Sequence, residues 1–144
     1  MAADVFDAES PLKQLDGQIS IVYAGSFFHL FDWESQKAVG LRVVRLLKAE
    51  PGSVLVGRQV GNVESGEEPR GAAPGERKRF RHDPGSWKKL WDDICRETGT
   101  RWDVHAELDD WAFGRAASSD IAQKLRDEME ESGRRRIKFV VRRL

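Results

Sequence analysis

Two short apolar runs, ISIVYA at 19–24 and SVLVGRQV at 53–60, bracket one amphipathic segment, and this arrangement limits the fold more than anything else in the chain. Both runs are continuous and rich in β-branched residues, the pattern of strands covered on both faces, as in a parallel sheet. Between them Ala38, Leu41, Val44 and Leu47 recur at helical spacing, with Val43 and Leu46 widening the face. Asp32 is placed to cap that helix, with Glu34 in its first turn. The helix is expected to run to about Lys48, ahead of Pro51-Gly52. Strand, helix, strand at this spacing is a right-handed crossover, so the two strands are expected to be parallel neighbours.

Further along, residues 61–79 are dominated by Gly, Pro and charge, without an apolar period. They read as a flexible insertion within a single domain spanning 1–144, and Arg77–Arg81 as solvated loop. Asp83-Pro84 then gives a helix cap followed by proline at the first helical position. Trp87, Leu90, Trp91, Ile94 and Cys95 form one apolar stripe, closed by Gly99. Core packing accounts for both tryptophans and for Cys95. Residues 101–108 alternate, with Trp102, Val104, Ala106 and Leu108 against Asp103, His105 and Glu107, as in a half-exposed strand. Ser118 or Ser119 caps a further helix with Ile121, Ala122, Leu125 and Met129 on its apolar face. RRIKFVVRRL closes the chain as a strand, with Arg134–Arg136 and Arg142–Arg143 read as solvated edge residues. The fold class is α/β.

Composition narrows the function classes. The 24 Lys and Arg balance the 24 Asp and Glu, so no overall field favours nucleic acid or an anionic membrane. Cys95 is the single cysteine, which rules out an internal disulfide and suits a reducing cytoplasm. Residues 1–18 have neither the basic start nor the apolar run of a signal peptide. His82 and His105 stand alone, without a second ligand at metal spacing.

In open α/β sheets, ligands bind beyond the carboxyl ends of the strands. The first strand ends on Ala24-Gly25-Ser26, small residues that let a ligand approach the backbone, and His29 follows within one turn. Two readings stay open for His29. It can serve as a base or bind a substrate acid at the crevice rim, or it can pack among Phe27, Phe28, Phe31 and Trp33.

The segments ADVFD, SPL, LDG, IVYAGSFFHLFDWESQ, VVRLLK and PGSVLVGRQVG together resemble the class I S-adenosylmethionine-dependent methyltransferases, in particular the fungal group acting on meroterpenoid and polyketide acids. The similarity continues through FRHDPGSWKKLW, ETGTRW and the closing strand, with 19–34 the most specific part. The resemblance implies a Rossmann-like sheet of seven strands, the last antiparallel. Here 19–24, 53–60, 101–108 and 136–144 take the places of strands four to seven, and the first three strands would precede Met1. It implies S-adenosyl-L-methionine as cofactor. Asp4 and Val5 would sit at the adenine, Ala24, Gly25 and Ser26 along the methionine, and His29 and Trp33 at a small-molecule acceptor; Trp111 could border the same site.

The Gly-rich turn and the ribose-holding acid of that family have no counterpart in these 144 residues. The expected molecule is therefore a carboxyl-terminal half, with weak cofactor affinity and an exposed strand edge. Its partner is the missing amino-terminal half or a second copy. The expected activity is methyl transfer to an oxygen, in first place a carboxylate. A non-catalytic remnant or partner-binding module is the alternative, with a fragment of a nicotinamide dehydrogenase further behind.

Overall fold

A computed structural model describes residues 1–69, 77–109 and 120–144. The crossover forms as the sequence expects. Ile21–Gly25 (β1) leads through a 3-10 turn at Phe28–Leu30 into Trp33–Leu46 (α1) and then Val54–Asn62 (β2). β1 and β2 pair in parallel, from Ile21 opposite Val54 to Gly25 opposite Arg58. Asp32 caps α1 by accepting from the Ser35 backbone N–H at 2.8 Å, a bond that also holds its carboxyl below the usual range. The helix ends at Leu46, two residues earlier than expected, because Leu47 is already extended and Ile19 bridges to it.

After β2 come Gly66–Pro69 (β3), Lys78–Arg81 (β4), Pro84–Thr98 (α2), Trp102–Asp109 (β5), Asp120–Ser132 (α3) and Arg134–Arg143 (β6). The main sheet has the order β1-β2-β6-β5, with β6 antiparallel to both neighbours. The last strand is thus interior, and the edge reading of its arginines is corrected. Arg136 makes a two-pronged ion pair with Asp109 on β5, at 2.7 and 2.9 Å, and the Arg143 guanidinium lies 5.5 Å from the Trp102 ring centre.

The expectation that both faces of the first strand are covered is also corrected. Val22 and Ala24 turn toward the core, whereas Ile21 and Tyr23 are each 65 % exposed. Register carries this division across the sheet. Ala24, Leu55, Phe139, Val141 and Trp102 share the inner face, where Val39 and Val43 of α1 and Trp87, Leu90, Trp91 and Ile94 of α2 cover them. Among the described residues, β1 pairs with β2 alone. No described helix is long and apolar enough to cross a membrane.

Gly57 sits on β2 between Ala24 of β1 and Phe139 of β6. A Cβ there would lie 2.2 Å from the Ala24 carbonyl oxygen and 2.5 Å from the Phe139 ring. Backbone cannot yield as a side chain does, so Gly57→Ala is expected to cost about 1–3 kcal/mol by overpacking. A lowered urea midpoint, with no change of slope, checks this.

α2 begins as expected. Asp83 and Ser86 form a reciprocal capping box, and Gly99 closes the helix in the left-handed conformation at φ 66°. Trp87 and Trp91 are fully buried. Cys95 is half-buried, and burial raises its thiol pKa, consistent with a structural residue. On α3, Ala122 is buried but Ile121 is 72 % exposed, so the apolar face drawn from the sequence is only partly used. Ser118 and Ser119, its expected caps, lie outside the described residues, as do Asp110 and Trp111. The described ends of the 61–79 segment are paired strands, β3 against β4.

Candidate active site at the strand ends

Where β1 stops, Ser26 takes a φ of 53°, unusual for a residue with a side chain, and its N–H donates to the Arg58 carbonyl oxygen at 2.7 Å. The chain then turns through Phe28–Leu30. Phe28 is fully buried and packs edge-on against Trp87 at 5.1 Å, which anchors this turn. With its neighbours fixed, the His29 ring meets β2, and its Nδ1 accepts from the Val60 N–H at 3.2 Å.

That bond decides the state of the ring. A nitrogen that accepts carries no proton, so neutral His29 holds its proton on Nε2. Burial, then the charges of Arg81 and Arg79, lowers its pKa to about 4. Arg81 is 4 % exposed, contrary to its reading as solvated loop, because β4 carries it against this turn. Its Nη1 donates to the His29 carbonyl oxygen at 3.2 Å and its Nε to Glu68 on β3 at 3.1 Å.

His29 and Ser26 both line a cavity of about 770 Å³ between the tips of β1 and β2, the start of β6 and α3. Arg58, Val60, Leu125 and Met129 form much of the rest of its wall. The other residues expected at the site do not line it. Ala24 faces the core. Gly25 is exposed, with the Tyr23 hydroxyl 2.8 Å from where a Cβ would be. Trp33 packs on Phe80 and His82, with ring centres 5.0 and 5.5 Å away. Asp4 is exposed and accepts from the Phe6 N–H through Oδ1 at 2.9 Å. Val5 is half-buried against the core, and Phe6 stacks edge-on with Phe31 at 5.1 Å, so the amino-terminal segment rests on the aromatic cluster beside His29.

His82 serves elsewhere. It is fully buried, its Nε2 3.1 Å from Gln36 Oε1 and its Nδ1 2.7 Å from Ser86 Oγ. Gln36 Nε2 donates to the carbonyls of Phe31 and Phe80, which leaves Gln36 Oε1 to accept from the His82 Nε2–H.

No protein-family model matches the chain. It is 47% identical over 148 residues to the O-methyltransferase phiE of Fungal sp. (strain ATCC 74256), an alignment covering 99% of this chain and 49% of that one. It is 42% identical to the O-methyltransferase atr3 of Stereocaulon alpinum, over 68% of this chain and 28% of that one. It is 38% identical to the methyltransferase ausD of Penicillium brasilianum, over 74% and 38%. Over most of its own length the chain is thus similar in sequence to fungal methyltransferases. It spans half or less of the length of these methyltransferase relatives, in keeping with a partial domain.

Solved structures match the fold. A SAM dependent methyltransferase from Archaeoglobus fulgidus superimposes with a TM-score of 0.55 at 15% identity, covering 99% of this chain and 66% of that one. An S-adenosylmethionine dependent methyltransferase from Mesorhizobium loti gives 0.55 at 14%, covering 98% and 67%. The α/β fold expected of the methyltransferase resemblance is therefore the fold observed.

Proposed function

We propose that these residues form the acceptor-side part of a methyltransferase domain that transfers a methyl group from S-adenosyl-L-methionine to a carboxylate oxygen of a small secondary metabolite. One observation carries the choice of acceptor: His29 has no lone pair to offer. Its Nδ1 is engaged by the Val60 N–H, and its Nε2 carries the proton. A phenol or alcohol must lose a proton as it is methylated, and that requires a base. A carboxylate is already ionised at neutral pH and needs chiefly to be held in line. The Nε2–H of His29 suits that task, holding one carboxylate oxygen while the other attacks.

The residues assigned to the cofactor fit it in part. Asp4 is exposed and, among the described residues, uses only Oδ1, so Oδ2 can accept from an exocyclic amine. Val5 follows it as the neighbour of the adenine ring. Ala24, Gly25 and Ser26 bring nearly bare backbone to the tip of β1, where the methionine portion would lie. When bound, the cofactor supplies an electrophilic methyl group. The role of this chain is to orient the acceptor and to wall the cavity with Val60, Leu125 and Met129. Trp33, packed on Phe80 and His82, supports the turn from behind.

Incubation with methyl-tritiated cofactor and either 1-naphthoate or 1-naphthol tests the reading. The expected product is an ester whose label leaves as methanol in mild alkali; an alkali-stable ether would overturn the carboxylate assignment. His29→Ala should lower the transfer rate about tenfold or more, the loss of one hydrogen bond to a charged group. The second reading, a partner-binding module without activity, is favoured by the edge of β1 that no described strand pairs, with Ile21 and Tyr23 exposed. Binding of the acid with no transfer of label would select it.

A further inference from the structure

We infer that Arg58 is the residue that recognises the acceptor's carboxylate, and so sets the preference of this site for acids. The inference rests on the carboxylate reading above and extends it to a residue that neither the motif nor the relatives single out.

The lining of the cavity carries a marked charge imbalance, five arginines (58, 81, 134, 135 and 136) against the single carboxylate of Glu128. Most of that charge is engaged. Arg81 pairs with Glu68 at 3.1 Å, and Arg134 reaches the same carboxylate at 3.7 Å. Arg136 is held by Asp109 at 2.7 Å, and Arg135 donates to the carbonyls of Met129 and Arg134. Arg58 differs: among the described residues its guanidinium has no carboxylate within 4.0 Å and no hydrogen-bond acceptor.

Register explains why. On one side Arg58 is opposite Gly25, which has no side chain. On the other it is opposite Lys138, whose ammonium holds Glu107 at 2.9 Å and Asp109 at 3.3 Å, so both nearby carboxylates on β5 are taken. The result is an exposed arginine, without a carboxylate partner among the described residues, in the lining of the cavity that also holds His29. A guanidinium fork and a single N–H donor can together satisfy both oxygens of one carboxylate. Val60, Leu125 and Met129 offer apolar wall to the body of the molecule. The ligand class is therefore an apolar organic acid.

Calorimetric titration of the full 144-residue chain with 1-naphthoate and with its methyl ester tests this, using wild type, Arg58→Gln and Arg58→Lys. Arg58 is exposed, so both variants are expected to fold normally. Wild type should bind the acid about tenfold or more tighter than the ester, as one charge-assisted contact warrants. Arg58→Gln should abolish that preference while ester affinity stays within about twofold, and Arg58→Lys should restore part of it. Added salt should weaken binding of the acid and leave the ester unchanged. If wild type binds acid and ester alike, or neither, the carboxylate reading falls and takes this inference with it. If the preference survives in Arg58→Gln, the assignment of Arg58 falls alone.

Discussion

Trp87→Ala is expected to destabilise the protein by about 3–5 kcal/mol, a large part of what a domain of this size possesses. Trp87 is fully buried and at the centre of the aromatic core. Its ring meets Phe28 at 5.1 Å, His82 at 5.2 Å, Trp91 at 6.4 Å and Phe139 at 4.3 Å. Deleting it opens a cavity bordered by β6, α2 and the turn that carries His29, and rigid aromatic neighbours cannot collapse into the space. Trp87→Phe should cost far less. The indole Nε1 has no hydrogen-bond partner among the described residues, so phenylalanine gives up area but no bond. Urea midpoints of the two variants, measured side by side, check the contrast. Near-equal losses would show that the ring's size is not what the core requires.

The second large effect is a loss of stability in mild acid. Burial lowers the pKa of His82 to about 3, from 6.5 when the chain is unfolded. The native ring stays neutral because Gln36 Oε1 accepts from its Nε2–H and Ser86 Oγ engages Nδ1. Below pH 6.5 the unfolded chain takes up a proton that the folded chain refuses, so stability falls as pH falls, across the window from 6.5 to about 3. The slope for one such group is about 1.4 kcal/mol per pH unit. Between pH 6.5 and 4.5 His82 alone should therefore remove about 2–3 kcal/mol. His29 acts in the same direction over 6.5 to about 4, with a smaller share because its ring is partly open to solvent. Urea midpoints at pH 7, 6, 5 and 4 measure the sum. His82→Leu isolates the larger part: it should be less stable at pH 7, where Gln36 and Ser86 lose a partner, yet respond more weakly to acid below pH 6.

What could be read from the sequence follows from how far apart the interacting residues lie. The caps at Asp32 and Asp83 were legible because each is a bond to a residue three positions on. The apolar stripe of α2 and the crossover from β1 to β2 were legible because periodicity and short connections are local. The place of β6 was not, since its neighbours are set by pairing with β2 and β5 across long stretches of chain. Arg136 read as a solvated edge residue for the same reason, its partner Asp109 being 27 residues away. His82 looked isolated because its partner Gln36 is 46 residues away. Arg58 resembled any polar position in an apolar run; only the register that puts Gly25 and Lys138 beside it shows that its charge is left over. One signal for it was present, a strand with a single cation, next to a strand ending in glycine. The resemblance to methyltransferases supplied the antiparallel direction of the last strand, where local chemistry could not.

Among the described residues, the strand that leads into Ser26 and His29 is laced to the sheet along one border only. β2, bound on both borders, is the firmer of the two walls of the cavity. Under the function proposed above, the acceptor must be placed to within about half an ångström, and that tolerance is governed by the looser wall. Any polypeptide segment that came to lie along the open border of β1 would therefore sharpen the chemistry by bracing, without touching either reactant.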